Sequence, residues 1–320
     1  FSKGGILMYT TYNEIKSYEL EISSRCNAAC PDCSRNDPNL TIIEQDIKID
    51  DFKKWFPKKY VKDKRFDFCG TLGDAIVNKD CLSIVDYLNT NECELCVIVT
   101  NGSARTTKFW QELAGKADVI FSIDGLEDTN HIYRRRTNWN KIIENANAFI
   151  KAGGQAKWEY LIFDHNKHQI EEAERLATKL GFKSITFKKS ARKHRMGKDT
   201  RPHENTNYFK KLIQQYEVQC TWKNGNEHTP RIFISSLGKV WPCCHFATSP
   251  IALKRLASEY DTNFNDLYTY TLEEILNQDF FKSTLEKSWE SQNKYRPCAL
   301  KCNVKTGTMD WRKNDRAVTI

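Results

Sequence analysis

The chain has 320 residues, 40% of them hydrophobic and 28% charged, and carries a formal net charge of +8. That length suits a catalytic domain with a smaller appended one, and the composition is that of an ordinary globular protein, which excludes a disordered chain. The longest apolar runs, at 96–99 and 119–121, fall far short of the roughly 20 residues needed to span a bilayer, so no membrane partner is expected.

The segment FSKGGIL ahead of Met8 has too little apolar length for a signal-peptide core. Residues 1–16 read as an N-terminal extension, and a cytoplasmic location is expected. Strand-type runs then fall at 18–23, 66–69, 95–100, 119–123, 157–163 and 184–188. Amphipathic helices separate them, most clearly at 80–88, 139–151 and 169–180, each ending near Gly or Asn. In the second of these, Ile142, Ile143, Ala146, Phe149 and Ile150 recur at three- and four-residue steps, so one face packs inward. This alternation predicts an α/β fold, a partial (β/α)6 TIM-like barrel over 17–190, with functional groups at the C-terminal ends of its strands. The basic stretch SARKHRMGKDTRPHENT covers a linker or loop at 191–207. A helix at about 208–218 leads into a small cysteine-rich auxiliary domain with a β-hairpin, 208–320.

Twelve cysteines are many for a chain without an export signal, and in a reducing compartment metal ligation is a better reading than disulfides. SSRCNAACPDCSR places Cys26, Cys30 and Cys33 directly after the first predicted strand. Three thiolates on one tight loop can ligate three irons of a [4Fe–4S] cube and leave the fourth iron open to a small molecule. Structural zinc takes four closed ligands and needs a further residue to complete the set here.

Through this triad and its position the chain resembles the radical SAM superfamily over nearly its whole length. The likeness implies a [4Fe–4S] cluster that binds S-adenosylmethionine (SAM). The family usually carries an aromatic residue just before the third cysteine, where this chain has Asp32. In FCGTLGDAI, Gly70, Gly73 and Asp74 take the place of the family's turn that meets the methionine amino group. VTNGSAR and FSIDG resemble its ribose- and methionine-facing strand ends, so Thr100, Asn101, Ser122 and Asp124 are inferred to line the SAM pocket. Arg134 resembles the arginine that holds the SAM carboxylate, with Arg135 and Arg136 as neighbouring candidates.

The C-terminal region carries Cys220, Cys243, Cys244, Cys298 and Cys302. It resembles the twitch or SPASM auxiliary domains of radical SAM enzymes, whose Gly-turn hairpin ends in a ligand cysteine as residues 239–243 do here. Five cysteines support one auxiliary [4Fe–4S] cluster rather than two. Cys220, Cys243, Cys298 and Cys302 are assigned to it, with Cys244 as the alternative to Cys243 and a four-cysteine zinc ribbon as the alternative to a cluster. Cys69, Cys81 and Cys96 read as small core residues, with a redox role for the CxxC of Cys93 and Cys96 as the alternative.

The resemblance implies a radical SAM oxidoreductase. It would cleave SAM reductively to a 5′-deoxyadenosyl radical and abstract a hydrogen atom from substrate, a net oxidation with the auxiliary cluster as electron acceptor. Glu159, Tyr160, Asp164, Lys188, Lys189, Arg192 and His194 are the candidate substrate-facing groups, and no catalytic acid or base stands out among them. Arg192, Arg195 and Arg201 form a candidate site for an anionic substrate group. His165 and His168 read as surface residues. A small molecule is favoured over a peptide or nucleotide as substrate, and a flavodoxin or ferredoxin is expected as electron donor. The alternatives are a radical SAM peptide maturase, a nucleotide- or nucleic-acid-modifying enzyme, and a non-catalytic zinc-bound nucleic-acid-binding protein, the last supported by the +8 charge.

Overall fold

The computed structural model describes residues 9–189, 217–302 and 316–320. The linker expected at 191–207, most of the helix expected at 208–218, and Arg192, His194, Arg195 and Arg201 lie outside the described residues. Two compact units divide the chain, one of Phe1–Glu19 with Lys198–Asp310 and one of Leu20–Gly197 with Trp311–Ile320. Strand β1, Ser17–Leu20, lies where they divide.

The larger unit carries β2 (Arg65–Cys69), β3 (Leu95–Thr100), β4 (Asp118–Ser122), β5 (Ala156–Ile162) and β6 (Ser184–Lys189), each parallel to the next. Their register places Cys69 beside Val99, Thr100 beside Phe121, Ser122 beside Glu159 and Glu159 beside Thr186. These are the strands expected from the sequence, helices alternate with them, and the sheet is that of a partial TIM-like barrel. One strand was not anticipated: β9 (Arg316–Thr319) runs antiparallel to β6, with Val318 beside Ile185.

Alternation along the strands explains what each face does, because neighbouring residues point to opposite sides. Phe66, Phe68, Ile98, Val119, Phe121, Trp158 and Ile185 are shut off from solvent. They meet the helices: Phe52 packs on Phe66, Trp110 and Phe149 on Phe121, with ring centroids 5.2–6.4 Å apart. Each such large apolar side chain contributes about 1.5–3 kcal/mol on burial, so this layer holds the sheet to its helices. The opposite face carries Cys69, Val99, Ile120, Glu159, Thr186 and Lys188, all half-buried, and is polar toward the strand ends.

Local chemistry sets the helix boundaries. The helix Trp139–Lys151 begins where the Asn138 side chain accepts the Lys141 amide at 2.9 Å. Ile170–Leu180 has Glu171 and Glu172 in its first turn and stops at Gly181, whose φ of +85° places it in the left-handed region.

In the smaller unit β7 (Arg231–Ile234) and β8 (Val240–Trp241) form the expected hairpin, antiparallel with Phe233 beside Trp241 and turning at Gly238. Phe246, Phe280, Phe281 and Tyr295 make its aromatic core, and the Tyr9 amide donates to the Phe281 carbonyl at 3.0 Å. No helix among the described residues is long and apolar enough to cross a membrane.

Trp158 is fully buried and its indole N–H donates to the Ile123 carbonyl at 2.8 Å. Trp158→Ala is expected to cost about 3–5 kcal/mol in denaturant unfolding. The neighbouring exposed Lys157→Ala should stay within about 0.5 kcal/mol of the unmodified protein.

Candidate metal centres

After β1 the chain turns into the loop of the cysteine triad, which backbone bonds fasten. The Cys33 amide donates to the Cys30 carbonyl at 3.1 Å, the Asn36 amide to the Cys33 carbonyl at 3.0 Å, and the Ala29 amide to the Arg135 carbonyl at 2.9 Å. Cys30 is buried against Tyr133 and Phe163, with Cys33 packed beside them. Burial pushes the Cys26 thiol up to about 12, with the charge of Asp74 adding to the effect. Burial raises Cys30 as well, opposed by Arg134. Among the described residues no three His, Cys, Asp or Glu side chains close on the point a single ion would occupy. A cube takes each thiolate on a separate iron, and a purely thiol donor set suits it.

The turn after β2 admits only glycine at two positions. A Cβ on Gly73 would lie 1.8 Å from the Ser23 carbonyl oxygen, and one on Gly70 would lie 1.5 Å from the Gly73 carbonyl oxygen. The turn delivers Asp74 into a buried position. Its carboxylate accepts from Thr100 Oγ1 at 3.0 Å, the Asn101 amide at 2.9 Å, Asn101 Nδ2 at 2.7 Å and the Ile76 amide at 3.3 Å. Burial raises its pKa, and the donors oppose that rise. Asn101 Nδ2 also donates to Asn27 Oδ1 at 2.9 Å and stands 4.0 Å from Cys26 Sγ.

On the other side of the loop Arg134 Nε donates to Asp124 Oδ2 at 2.5 Å, and its Nη1 stands 4.0 Å from Cys30 Sγ. Asp124 is wholly buried at the end of β4, two residues beyond the buried Ser122, and its other oxygen accepts the Leu161 amide at 2.7 Å. Burial works to lower the Arg134 pKa, but Asp124 and Cys30 outweigh it and raise it. Arg135 and Arg136 are exposed. The structure therefore gathers Asp74, Thr100 and Asn101 around Cys26, and Asp124 and Arg134 around Cys30.

Glu21 and Asn27 were not named from the sequence. Glu21 accepts the Leu72 amide and, at 3.1 Å, the Gly73 amide, while Arg35 donates to the Leu72 carbonyl at 2.8 Å, so the two side chains pin the glycine turn. A signal for Glu21 existed. In YELEISS the apolar Tyr18, Leu20 and Ile22 alternate with Glu19, Glu21 and Ser23, a pattern that sends the acids to one side of the strand.

In the smaller unit Cys220 precedes the short helix Thr221–Asn224, Cys243 ends the hairpin, and Cys298 and Cys302 share a face of the helix Arg296–Lys301 and its cap. The Gln219 amide donates to the Cys302 carbonyl at 2.7 Å, which joins the two segments. The thiols sense one another's charge: Cys302 donates to Cys220, lowering Cys220 to about 7 and raising Cys302, while burial, then Cys220, pushes Cys243 up to about 12. Cys298 is raised by burial and by Cys243 and Cys220. Cys243 is buried and Cys244 half-buried, and the charge of Cys243 is felt by Cys298 and Cys302. Four thiols in one small volume fit a fully ligated iron–sulfur cluster.

Burial raises the Glu21 carboxyl from its ordinary 4.5 to about 7. The folded chain then holds this proton more tightly than the unfolded one, so stability present below pH 4.5 is lost as pH rises to about 7, on the order of 3 kcal/mol. Glu21→Gln keeps an oxygen for the two amides and removes the charge. It is expected to be more stable than the unmodified protein at pH 8 and equal to it near pH 4, measured by urea unfolding. No difference at pH 8 would contradict the assignment.

Residues 226–303 match the SPASM family, described as an iron–sulfur cluster-binding domain. No curated protein sequence matches the chain. Among solved structures, Streptococcus suis SuiB is 13% identical with a TM-score of 0.60, the match covering 86% of this chain and 69% of that one. SuiB bound to precursor peptide SuiA is 12% identical with a TM-score of 0.60 over 89% of this chain and 69% of that one. Native anSMEcpe with bound AdoMet is 14% identical with a TM-score of 0.54 over 89% of this chain and 88% of that one. The chain shares the fold of these structures, a TIM-like partial barrel, and its residues 226–303 match the SPASM iron–sulfur cluster-binding domain.

Proposed function

We propose that the chain is a radical SAM oxidoreductase that takes a hydrogen atom from a polar small molecule in a net oxidation, passing the resulting electron to its auxiliary centre. The observation that carries this reading is the loop of Cys26, Cys30 and Cys33 with a polar side-chain nitrogen 4.0 Å from each of two sulfurs, Asn101 Nδ2 at Cys26 and Arg134 Nη1 at Cys30. When bound there, a [4Fe–4S] cluster and SAM supply methionine and a 5′-deoxyadenosyl radical able to abstract hydrogen from an unactivated carbon.

The chain's own residues orient these groups. Arg134, aligned by Asp124, presents its guanidinium to the SAM carboxylate, for which a planar fork is suited. The backbone of the Gly70–Gly73 turn meets the methionine amino group, and Asp74 keeps Thr100 and Asn101 in place at the end of β3. Ser122 lines the same pocket. Cys220, Cys243, Cys298 and Cys302 hold the auxiliary [4Fe–4S] cluster. Substrate lies against the polar face of β5 and β6, where Lys188 Nζ and Glu159 Oε1 pair at 2.5 Å and Thr186 stands in register with Glu159. An ion pair held there offers one cationic and one anionic contact to a polar substrate. The electron donor is an acidic flavodoxin or ferredoxin drawn to the net positive chain, in the reducing cytoplasm.

A second reading, a peptide substrate, is favoured by the similarity to SuiB in its structure bound to precursor peptide SuiA.

The reading is tested by incubating reduced, reconstituted protein with SAM and measuring 5′-deoxyadenosine. Arg134→Gln is expected to weaken SAM binding by at least about tenfold, the scale of one charged hydrogen bond. Lys188→Met should leave SAM binding intact while abolishing capture of the substrate. Absence of 5′-deoxyadenosine from an iron-loaded protein would refute the proposal.

A further inference from the structure

Two aromatic side chains bear on the auxiliary thiols without being candidates for ligands. Tyr9 precedes β1 and is completely buried in the smaller unit. Its hydroxyl donates to the Pro242 carbonyl at 2.8 Å and lies 3.2 Å from the Arg231 carbonyl. A phenol has one proton, so these acceptors compete for it. Trp289, in the helix Leu285–Glu290, stands edge-on to Tyr9 with ring centroids 6.5 Å apart at 78°.

The Trp289 indole nitrogen is shut off from solvent and completes no hydrogen bond, sulfur acceptors included, among the described residues. An indole N–H can only donate, and leaving it unpaired in the interior is costly, which is why buried donors nearly always have acceptors. The group whose negative charge it favours is the Cys298 thiol. A thiol is a weak acceptor, whereas a thiolate bound to iron carries negative charge and is a good one. The orphaned donor is thus satisfied only in the ligated state.

We propose that Trp289 donates its indole N–H to the cluster-bound sulfur of Cys298 and thereby sets the reduction potential of the auxiliary centre. The inference rests on the reading of these four cysteines as cluster ligands. A hydrogen bond draws charge from the thiolate and favours the reduced, more negative cluster, so it raises the potential. Trp289 is a positioning and tuning residue, not a ligand, and it makes the centre a better acceptor for an electron left on substrate.

The test uses the Cys26→Ala, Cys30→Ala, Cys33→Ala chain, in which the auxiliary cluster is the one observed. Reconstituted protein is titrated with dithionite and followed by electron paramagnetic resonance, with Trp289 intact and as Trp289→Phe, which keeps the ring and removes the donor. The expected result is a midpoint shifted to more negative potential with iron held at about four per chain. An unchanged midpoint at the same iron content would overturn the proposal. Should the variant lose its iron, pulsed resonance on the Trp289-containing chain with isotopically labelled indole nitrogen decides: a coupling between that nitrogen and the reduced cluster supports the bond, and its absence overturns it. A background chain that binds no iron overturns both this inference and the ligand assignment, while leaving SAM cleavage by the unaltered triad as a separate question.

Discussion

At the C-terminal end of the sheet a single buried carboxylate, that of Asp74, accepts four hydrogen bonds and ties the end of β2 to the end of β3. Three of the four donors converge on Oδ2 and one, the Ile76 amide, on Oδ1. Without them a charge this deep would be expensive, and with them each contributes about 1.5–3 kcal/mol, the range for bonds to charged groups. The consequence reaches the cysteine loop, because the same bonds aim Asn101 Nδ2 at Cys26 Sγ. Asp124 repeats the device across the loop, where it aims Arg134 at Cys30 Sγ. Two buried carboxylates, each orienting one donor, hold the triad between them.

This arrangement accounts for the two glycines. Asp74 reaches its donors only if the turn before it passes against the backbone of residue 23, and at Gly73 that approach leaves no room for a side chain. Glu21 and Arg35 then fasten the turn from the other side. In the auxiliary site the cysteines sit at a hairpin end, ahead of one short helix and on another.

What could be read from the sequence was local. CxxxCxxC after a strand, the alternating strands and helices, and the Gly-turn hairpin ahead of Cys243 each occupy fewer than about twenty residues, and their spacing alone constrains them. What could not be read was long-range. Tyr9 lies far in sequence from Cys220 and Cys298, and nothing in its neighbourhood signals a thiol. Strand β9 is four residues long with a mostly exposed pattern, so it has no apolar signature, and its pairing with β6 spans more than a hundred residues. Glu21 falls between these cases, since its alternation was visible but its partners at Leu72 and Gly73 were not. Among three consecutive arginines the sequence offered no means of choosing; burial distinguishes Arg134, because the other two face solvent.

The account stands on the claim that the two groups of cysteines hold separate clusters. The most direct test is iron and sulfide per chain after anaerobic reconstitution, in the unmodified protein and in the Cys26→Ala, Cys30→Ala, Cys33→Ala variant. The account predicts about eight irons falling to about four, with matching sulfide. Zinc in place of iron at both sites, or an iron content that the three substitutions leave unchanged, would contradict it.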